Sequence, residues 1–281
     1  MLTPYTLNLG GRIMTLDHPV VMGILNVTPD SFYAGSRMLD NPSPEECIRQ
    51  RVHDILDEGG TIIDIGAYST RPGAPEVTAQ EEMERLARGL EIVRREAPDA
   101  IVSVDTFRAD VAKSCVRDFG VQIINDISGG ELDRAMFHTV GRLGVPYILM
   151  HMQGKPRTMQ EAPHYENVCQ EVLVYLARRA QMLRDHGVKD IILDPGFGFG
   201  KTLDHNYELM SRLEDFHELG MPLLVGISRK SMIYRLHGGS PLDALNGTTA
   251  LNMVALMKGA HILRVHDVKA AVETVKIFEK L

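Results

Sequence analysis

The stretch 191-IILDPGFGFGKT-202 joins a short apolar run, a carboxylate and a glycine-rich loop. Residues 191–194 are typical of a buried strand, and Pro195 with Gly196 ends that strand. The strand closes on Asp194, and burial of a carboxylate is costly unless other groups pair with it. The stretch therefore predicts a buried strand that delivers a carboxylate to its own carboxyl end.

The glycines and the lysine of this stretch suggest a phosphate-binding loop, but their spacing argues against one. A Walker loop requires a glycine five positions before Gly200, and Pro195 stands there. The dinucleotide-binding fingerprint fails as well, because Lys201 occupies the place of its third glycine. What remains is a flexible loop that carries Phe197 and Phe199 beside the end of the strand.

Strand and helix patterns alternate along the chain in eight units. The predicted strands cover residues 20–27, 62–67, 101–106, 122–127, 146–151, 191–194, 223–228 and 262–266. The predicted helices lie within 44–58, 79–96, 108–119, 131–143, 165–186, 206–216, 230–236, 243–258 and 268–279. Such alternation implies a parallel sheet, and eight units in 281 residues imply closure into a (β/α)8 TIM barrel with its active site at the carboxyl ends of the strands. A doubly wound open sheet is the alternative.

The remaining features of the sequence indicate the setting of this barrel. Residues 1–19 suggest a short N-terminal β-hairpin, and no shift in composition marks a second domain, so we expect one barrel domain over residues 1–281. The net charge of −7 argues against nucleic acid as a partner, and no run of about 18 apolar residues suggests a membrane span. The three widely spaced cysteines indicate reduced thiols, so we expect a cytoplasmic protein.

Polar side chains concentrate where the predicted strands end, which is the functional face of such a barrel. They are Asn26, Tyr68, Ser69, Thr70, Arg71, Asp105, Asn125, Asp126, His151, Asp194, Ser228, Arg229, Lys230, Ser231, Arg264 and His266. One such residue alone would be interpreted as a helix cap or a turn residue. Carboxylates, amides and cations at all eight strand ends instead indicate a ligand site. We expect His151 to be packed rather than a metal ligand, because no partner histidine has metal spacing.

Arg264 and His266 are two positions apart on a predicted strand and therefore point to the same side. A guanidinium beside an imidazole fits a phosphate or a pyrophosphate, and the helix that opens at Val268 offers free N–H groups to the same anion. The alternative is an arginine that is paired with Asp267 or with another local carboxylate.

Three acceptor-bearing residues, Asp105, Asn125 and Asp194, stand at the ends of different predicted strands. Such a set suits a planar heterocycle with an amidine-like N–H edge, and Lys230 can donate to a ring carbonyl or a ring nitrogen. The alternative is a polar network that closes the top of the barrel.

Two loops, 28–38 and 69–78, follow the first two predicted strands and are rich in Pro, Gly and small polar residues. Such loops often act as lids that exclude water from a reaction. Phe32 in the first loop is unusual for a plain linker, which supports this interpretation.

Nine blocks of the sequence resemble, in order, motifs of the dihydropteroate synthase family. They are GILNVTPDSF (23–32), STRPGA (69–74), SVDT (103–106), INDISGG (124–130), LMHMQGKPRTMQ (149–160), LDPGFGFGKT (193–202), GISRKS (226–231), NGT (246–248) and RVHD (264–267). The resemblance implies a (β/α)8 barrel, Mg²⁺ as cofactor, a homodimer and a transferase of folate biosynthesis. In the implied reaction, 6-hydroxymethyl-7,8-dihydropterin pyrophosphate joins p-aminobenzoate through a cation-like transition state, and pyrophosphate leaves.

The resemblance also implies roles for single residues. The implied pterin-binding residues are Asp105, Asn125, Met150, Asp194 and Lys230. The implied pyrophosphate-binding residues are Asn26, Arg264 and His266, with Asn26 also the Mg²⁺ ligand. The residues implied to hold p-aminobenzoate, and the sulfonamides that mimic it, are Phe32, Thr70, Arg71, Phe199, Lys230 and Ser231. Catalysis would depend on Lys230, Arg264, His266, Asp105 and Asp194.

The first lid departs from the family pattern. Family members commonly carry an acidic residue two places after the lid phenylalanine, whereas Ala34 follows Phe32 at that distance here. Any role of that acid in metal binding or cation stabilisation cannot be transferred, and we expect Asp30 or water to take its place. Unchanged turnover and Mg²⁺ dependence in an Asp30→Asn variant would exclude Asp30 from this role. Lys201 receives no catalytic role.

Two other functions share parts of this pattern. A pterin-binding methyltransferase barrel, such as the methyltetrahydrofolate domain of corrinoid enzymes, has the same pterin-side Asp and Asn residues. It needs no pyrophosphate anchor and no arylamine lid, so the blocks 264–267 and 69–74 argue against it. A pterin-binding regulatory protein without catalysis is the second alternative, and only Ala34 favours it.

Overall fold

An eight-stranded parallel sheet forms the centre of the computed structural model, which describes residues 2–28, 43–68, 76–155 and 158–281. The strands are β1 (Tyr5–Leu9), β2 (Arg12–Leu16), β3 (Val20–Asn26), β4 (Ile62–Gly66), β5 (Ile101–Asp105), β6 (Ile123–Asp126), β7 (Tyr147–Met150), β8 (Ile191–Asp194), β9 (Leu224–Val225) and β10 (Ile262–Val265). The antiparallel pair β1–β2 is the expected N-terminal hairpin. The predictions that involve Asp30, Phe32, Ala34, Thr70 and Arg71 lie outside the described residues.

The two edges of the eight-stranded sheet meet. The strand order runs β8-β7-β6-β5-β4-β3-β10-β9, and Leu193 on β8 forms a parallel bridge with Leu223 beside β9. The Leu193 N–H also donates to the Pro222 carbonyl at 2.9 Å. The predicted (β/α)8 barrel is therefore confirmed, and the open-sheet alternative is wrong. Strand β9 is shorter than predicted, in part because the Leu223 N–H donates to the His261 ring at 3.1 Å rather than to a strand.

The helices follow the strands as predicted, with shifted ends. They are α1 (Pro44–Asp57), α2 (Ala79–Glu96), α3 (Ala109–Phe119), α4 (Met136–Leu143), α5 (Val168–Asp185), α6 (Leu203–Ser211), α7 (Ser231–Tyr234), α8 (Leu245–Met257) and α9 (Val268–Phe278), with 3-10 turns at Leu213–Leu219, Arg235–His237 and Pro241–Asp243. Helix α4 starts later than residue 131, because the Asp133 carboxylate accepts the Ala135 N–H at 2.9 Å and the Ala109 N–H at 2.8 Å and turns the chain. Among the described helices, none is both long enough and apolar enough to cross a bilayer.

The amino end of the barrel is apolar and closed by the hairpin. The side chains that form this closed layer are Leu7, Leu9, Leu16, Val20, Met22, Ile62, Ile123, Ile148, Ile192, Leu224 and Ile262. The hairpin is anchored to the start of β8, because the Asn8 N–H donates to Asp190 Oδ2 at 2.9 Å. A second contact joins His261 Nε2 and the Thr3 carbonyl at 2.9 Å. The polar part of the barrel interior therefore lies at the carboxyl ends of the strands.

Candidate active site

The barrel interior becomes polar one layer above the closed end. Side chains alternate between the two faces of a strand, so residues two positions beyond the apolar layer also point inward. Asp64, Asn125, Asp194 and Arg264 occupy these positions on β4, β6, β8 and β10. Alternate strands contribute to one layer in barrels of this kind. Three of the four are residues that the sequence predicted.

Arg264 is paired with carboxylates inside the barrel. Its Nε donates to Asp64 Oδ2 at 2.6 Å, and its Nη2 donates to Asp105 Oδ2 at 2.8 Å. Burial alone would lower the pKa of Arg264, but the two carboxylates raise it above its ordinary value. Burial raises the pKa of Asp105 to about 7, against the opposing effect of Arg264. The alternative of a paired arginine thus describes Arg264, although its partner is not Asp267, which binds Arg229 at 2.5 Å.

Asp64 is a site residue that the sequence analysis missed. It is fully buried, and its Oδ2 also accepts from Asn125 Nδ2 at 3.1 Å. Its other oxygen, Oδ1, has no hydrogen-bond partner within the described ranges. The signal was present in the run 62-IIDIG-66, because a carboxylate in the middle of an apolar strand cannot serve as a helix cap and requires a partner.

Asp194 ends β8 as a buried carboxylate, 5% exposed. The Gly196 N–H donates to its Oδ1 at 2.8 Å, and the positive φ of Gly196, 73°, lets the chain turn back to make this bond. Burial raises the pKa of Asp194, and the Lys230 ammonium and the Gly196 N–H oppose this rise. The carboxylate is therefore held in place by one oxygen, while the other, Oδ2, faces Gly226, which has no side chain.

One wall of the site is apolar and rich in methionine. It consists of Ile127, Met150, Met152 and Met159, with Phe107 and Phe199 packed against them. Met150 is the residue for which the family resemblance implied a pterin contact. Unbranched, polarisable methionine side chains adapt well to the face of a flat ring.

Lys230 lies next to both predicted substrate positions. Its Nζ donates to the Phe197 carbonyl and lies 4.5 Å from the centre of the Phe199 ring, a cation–π distance. Burial lowers the pKa of Lys230 to about 8, and the Asp194 carboxylate opposes this effect. Ser231, the first residue of α7, follows directly. The structure thus brings together Phe199 and Lys230 of the implied p-aminobenzoate site, and Ser231 adjoins Lys230 in the chain.

His266 presents an uncharged ring. Ser228 Oγ accepts the His266 backbone N–H at 3.1 Å and lies 3.1 Å from Nδ1. The Ser228 hydroxyl can donate to Nδ1, which places the ring proton on Nε2, or it can accept from Nδ1 in the other tautomer. Burial lowers the pKa of His266 to about 3, and Arg264 and Arg229 add to this effect. His266 is therefore a neutral hydrogen-bond donor near pH 7.

The chain matches known proteins over nearly its whole length. Residues 22–266 match the family model for pterin binding enzymes. The dihydropteroate synthase of Escherichia coli K12 is 44% identical over 271 residues, which cover 96% of this chain and 94% of the relative. The chain belongs to the dihydropteroate synthase family of pterin-binding enzymes. It is accordingly a transferase of folate synthesis rather than a corrinoid methyltransferase.

Solved structures of dihydropteroate synthases share the whole fold. The Thermus thermophilus enzyme in complex with 4-aminobenzoate has a TM-score of 0.87 at 38% identity, over 99% of this chain and 100% of the relative. The Yersinia pestis enzyme in complex with a sulfonamide drug has a TM-score of 0.86 at 40% identity, over 98% of each chain. These matches confirm the resemblance that the sequence blocks indicated.

The residues implied to bind pyrophosphate lie at the ends of β3 and β10, just before α9. Asn26 ends β3 with an exposed side chain. Within the described ranges, no three His, Cys, Asp or Glu side chains gather into a metal site. An amide oxygen suits Mg²⁺, which often takes only one or two protein ligands beside phosphate oxygens and waters, so Asn26 fits an ion bound together with the substrate. The start of α9 is less open than predicted, because the Lys269 N–H already donates to Glu58 at 3.0 Å.

Proposed function

We propose that the protein condenses 6-hydroxymethyl-7,8-dihydropterin pyrophosphate with p-aminobenzoate to give 7,8-dihydropteroate and pyrophosphate. The observation that carries this proposal is the position of Lys230, close to the Asp194 carboxylate on one side and 4.5 Å from the Phe199 ring on the other. The Lys230 ammonium thus lies between Asp194, which can accept from a pterin edge, and the Phe199 ring, against which an aromatic amine can pack. A Xanthomonas albilineans relative solved with 4-aminobenzoic acid supports the second substrate.

The pterin is bound by the polar layer of the barrel in this proposal. Asp194 accepts the N–H groups of the amidine-like edge through a charge-assisted pair of bonds. Asn125 offers its carbonyl oxygen, because its Nδ2 already donates to Asp64 at 3.1 Å. Met150 covers the ring face. This arrangement leaves the pterin methylene toward the open end of the barrel.

The pyrophosphate group leaves beside β10. His266 donates its Nε2–H without adding charge. Arg264 retains N–H groups for the anion, because a guanidinium has five and two of them bind Asp64 and Asp105. Mg²⁺, bound with the substrate at Asn26, would neutralise part of the charge that develops on the leaving group.

The chemistry then requires little covalent help from the protein. The bond between the pterin methylene and pyrophosphate oxygen breaks, and its electron pair leaves with the pyrophosphate. The lone pair of the arylamine forms the new C–N bond, and the ammonium proton passes to solvent. The Asp105 and Asp194 carboxylates stabilise the positive charge on the pterin during this exchange. Because the arylamine is neutral at pH 7, positioning and charge stabilisation supply most of the acceleration.

A coupled assay for pyrophosphate release tests the proposed function. We expect release that depends on p-aminobenzoate and Mg²⁺ and that a sulfonamide blocks, as the sulfonamide complex of the Yersinia pestis relative suggests. Binding of the pterin substrate without release under any condition would contradict the proposal and favour a regulatory protein.

Lys230 predicts a pH dependence for the second substrate. Burial lowers its pKa to about 8, so the ammonium that favours the carboxylate of p-aminobenzoate is lost as the pH rises above that value. We expect log(kcat/KM) for p-aminobenzoate to fall above pH 8, and loss of the Lys230 ammonium contributes a slope of about −1 to this fall. Initial rates across this range measure it.

Lys230→Arg is the matched variant, because arginine keeps its charge. The fall above pH 8 should be less steep by about one unit of slope in this variant, whatever its absolute activity. The same fall in both proteins would assign the titration to another group, and Lys201, whose pKa burial lowers to about 7, is the next candidate.

We also propose that the protein is a cytoplasmic homodimer, as the family resemblance implies. The C-terminal elements expose large apolar side chains, namely Leu242, Leu245, Met257 and Ile277. A second copy of the chain would remove them from water. Size-exclusion chromatography with light scattering should give twice the chain mass of 31.3 kDa, and a monomer would contradict the proposal.

A further inference from the structure

The loop of residues 196–200 is held by its carbonyl groups. Each of the five backbone carbonyls accepts at least one hydrogen bond from a side chain. The donors are Lys201 to Gly196 and Phe199, Lys230 to Phe197, Gln160 to Gly198 and Tyr165 to Gly200. Gly196, Gly198 and Gly200 all have positive φ, and glycine readily adopts many backbone conformations. The hydrogen bonds from side chains are therefore needed to fix the conformation of the loop.

Lys201 makes the most contacts of these donors. Its Nζ lies 2.9 Å from the Gly196 carbonyl, 3.1 Å from the Phe199 carbonyl and 3.0 Å from His151 Nδ1. Only 3% of Lys201 is exposed. The Lys201 ammonium therefore connects the Gly196 and Phe199 carbonyls to each other and to His151, which follows β7.

His151 provides a rigid, uncharged partner for this ammonium. Its ring is buried and lies edge-on to the Tyr175 ring, with the centroids 4.8 Å apart. Burial lowers the pKa of His151 to about 2, and the nearby Lys201 charge adds to this effect. The neutral ring can thus accept from the ammonium at Nδ1.

The same loop forms the implied p-aminobenzoate wall. It carries the Phe199 ring and the Phe197 carbonyl, and both contact Lys230. A shift of the Phe199 carbonyl away from Lys201 would therefore move the ring and the partner of Lys230 together. Asp194 has its own bond to the Gly196 N–H at the strand end, although the Lys201 charge also lowers the pKa of Asp194.

We propose that Lys201, backed by His151, is a positioning residue that fixes the 196–200 loop so that Phe199 and Lys230 hold p-aminobenzoate. The inference rests on the proposed function, because it takes that compound as the second substrate. Burial of an ammonium costs free energy that burial of an apolar residue would not cost. The hydrogen bonds of Lys201 to the loop explain why a lysine is buried at this position.

Lys201→Met removes the donors and keeps the length of the side chain. We expect KM for p-aminobenzoate to rise about tenfold to hundredfold, as small displacements of positioning groups do, while the Kd of the pterin substrate rises by a smaller factor, because the Lys201 charge also acts on Asp194. Steady-state kinetics measure the first and isothermal calorimetry the second. Lys113→Met, an exposed lysine on α3, is the matched control and should change neither. If Lys201→Met does not fold, Lys201→Gln, which keeps an uncharged NH2 donor group, is measured in the same way.

A double-mutant cycle with Phe199→Leu separates positioning from general damage. If Lys201 acts through Phe199, the second substitution adds little to the KM effect of the first. Additive effects, an unchanged KM or an equal loss of pterin affinity would each overturn the proposal. Failure of the proposed function has a different signature, because the wild-type protein itself would then release no pyrophosphate.

Discussion

Asp194→Asn is expected to remove nearly all pterin affinity while leaving the fold intact. The substitution replaces an acceptor oxygen by a donor N–H, which would face the N–H edge of the pterin in the proposed site. Loss of one partner from such a buried, charge-assisted pair costs about 2–5 kcal/mol, or about one and a half to three and a half orders of magnitude in Kd. Calorimetry with the pterin substrate and the pyrophosphate-release assay should both report this loss.

Stability distinguishes this effect from misfolding. Burial raises the pKa of Asp194 above its ordinary value, which means that the ionised side chain is less stable in the folded protein than in the unfolded chain. A neutral asparagine removes this cost, so the melting temperature of Asp194→Asn at pH 7 should equal or exceed that of the wild type. Such an outcome would be typical of a carboxylate retained for function at the expense of stability.

Asp190→Asn is the control for this experiment. Asp190 lies just before the same strand, at the closed end of the barrel, where it accepts the Asn8 N–H at 2.9 Å. The control should bind the pterin and turn over normally. Equal pterin affinity in Asp194→Asn and in the wild type would remove Asp194 from the pterin site and with it the central assignment of the sequence analysis.

The positions at strand ends could be predicted from the sequence because two periodic signals agree there. Each of the eight predicted strands is an apolar run that ends in polar residues. The helix periodicity was equally clear, since the helix predicted over 79–96 is α2 with the same bounds. Asp194 and Asn125 were found because a strand end is visible as a change from apolar to polar residues. Asp64 was missed because it lies inside an apolar run, where only its chemistry and not its position is unusual.

The pairing of charges could not be predicted, because it depends on which strands face each other across the barrel. Asp267 is close to Arg264 in sequence, yet it binds Arg229. The partners of Arg264, Asp64 and Asp105, come from strands 200 and 159 residues away along the chain. The contact between Lys201 and His151 could not be predicted for the same reason, because the two residues follow different strands.

Arg264→Met is expected to be the most damaging single change for both stability and turnover. It leaves Asp64, which is 0% exposed, as a buried carboxylate without its cation. Removal of one partner from a buried ion pair costs about 3–5 kcal/mol of unfolding free energy. It also removes the guanidinium that we propose binds the leaving pyrophosphate, so release should fall below detection. Thermal or urea unfolding measures the first effect and the coupled assay the second.

The instability of this variant should depend on pH. The Arg264 charge holds down the pKa of Asp105, which burial raises to about 7 even in the wild type, so the pKa rises further without the arginine. The folded variant then keeps a proton that the unfolded chain has lost, and its stability decreases as the pH rises from about 4 through the raised pKa. Arg264→Met should therefore melt at a higher temperature at pH 6 than at pH 8, and the wild type should show a smaller difference.

Asp64→Asn, added to Arg264→Met, tests whether the cost comes from charge. If the unpaired carboxylate causes the loss, the asparagine removes it, and the double variant is more stable than Arg264→Met alone although one more native residue is replaced. Pyrophosphate release should not return, because the guanidinium is still missing. A double variant less stable than both single variants would mean that the two side chains contribute through packing. In that case the ion pair would not be what holds Arg264 in position inside the barrel.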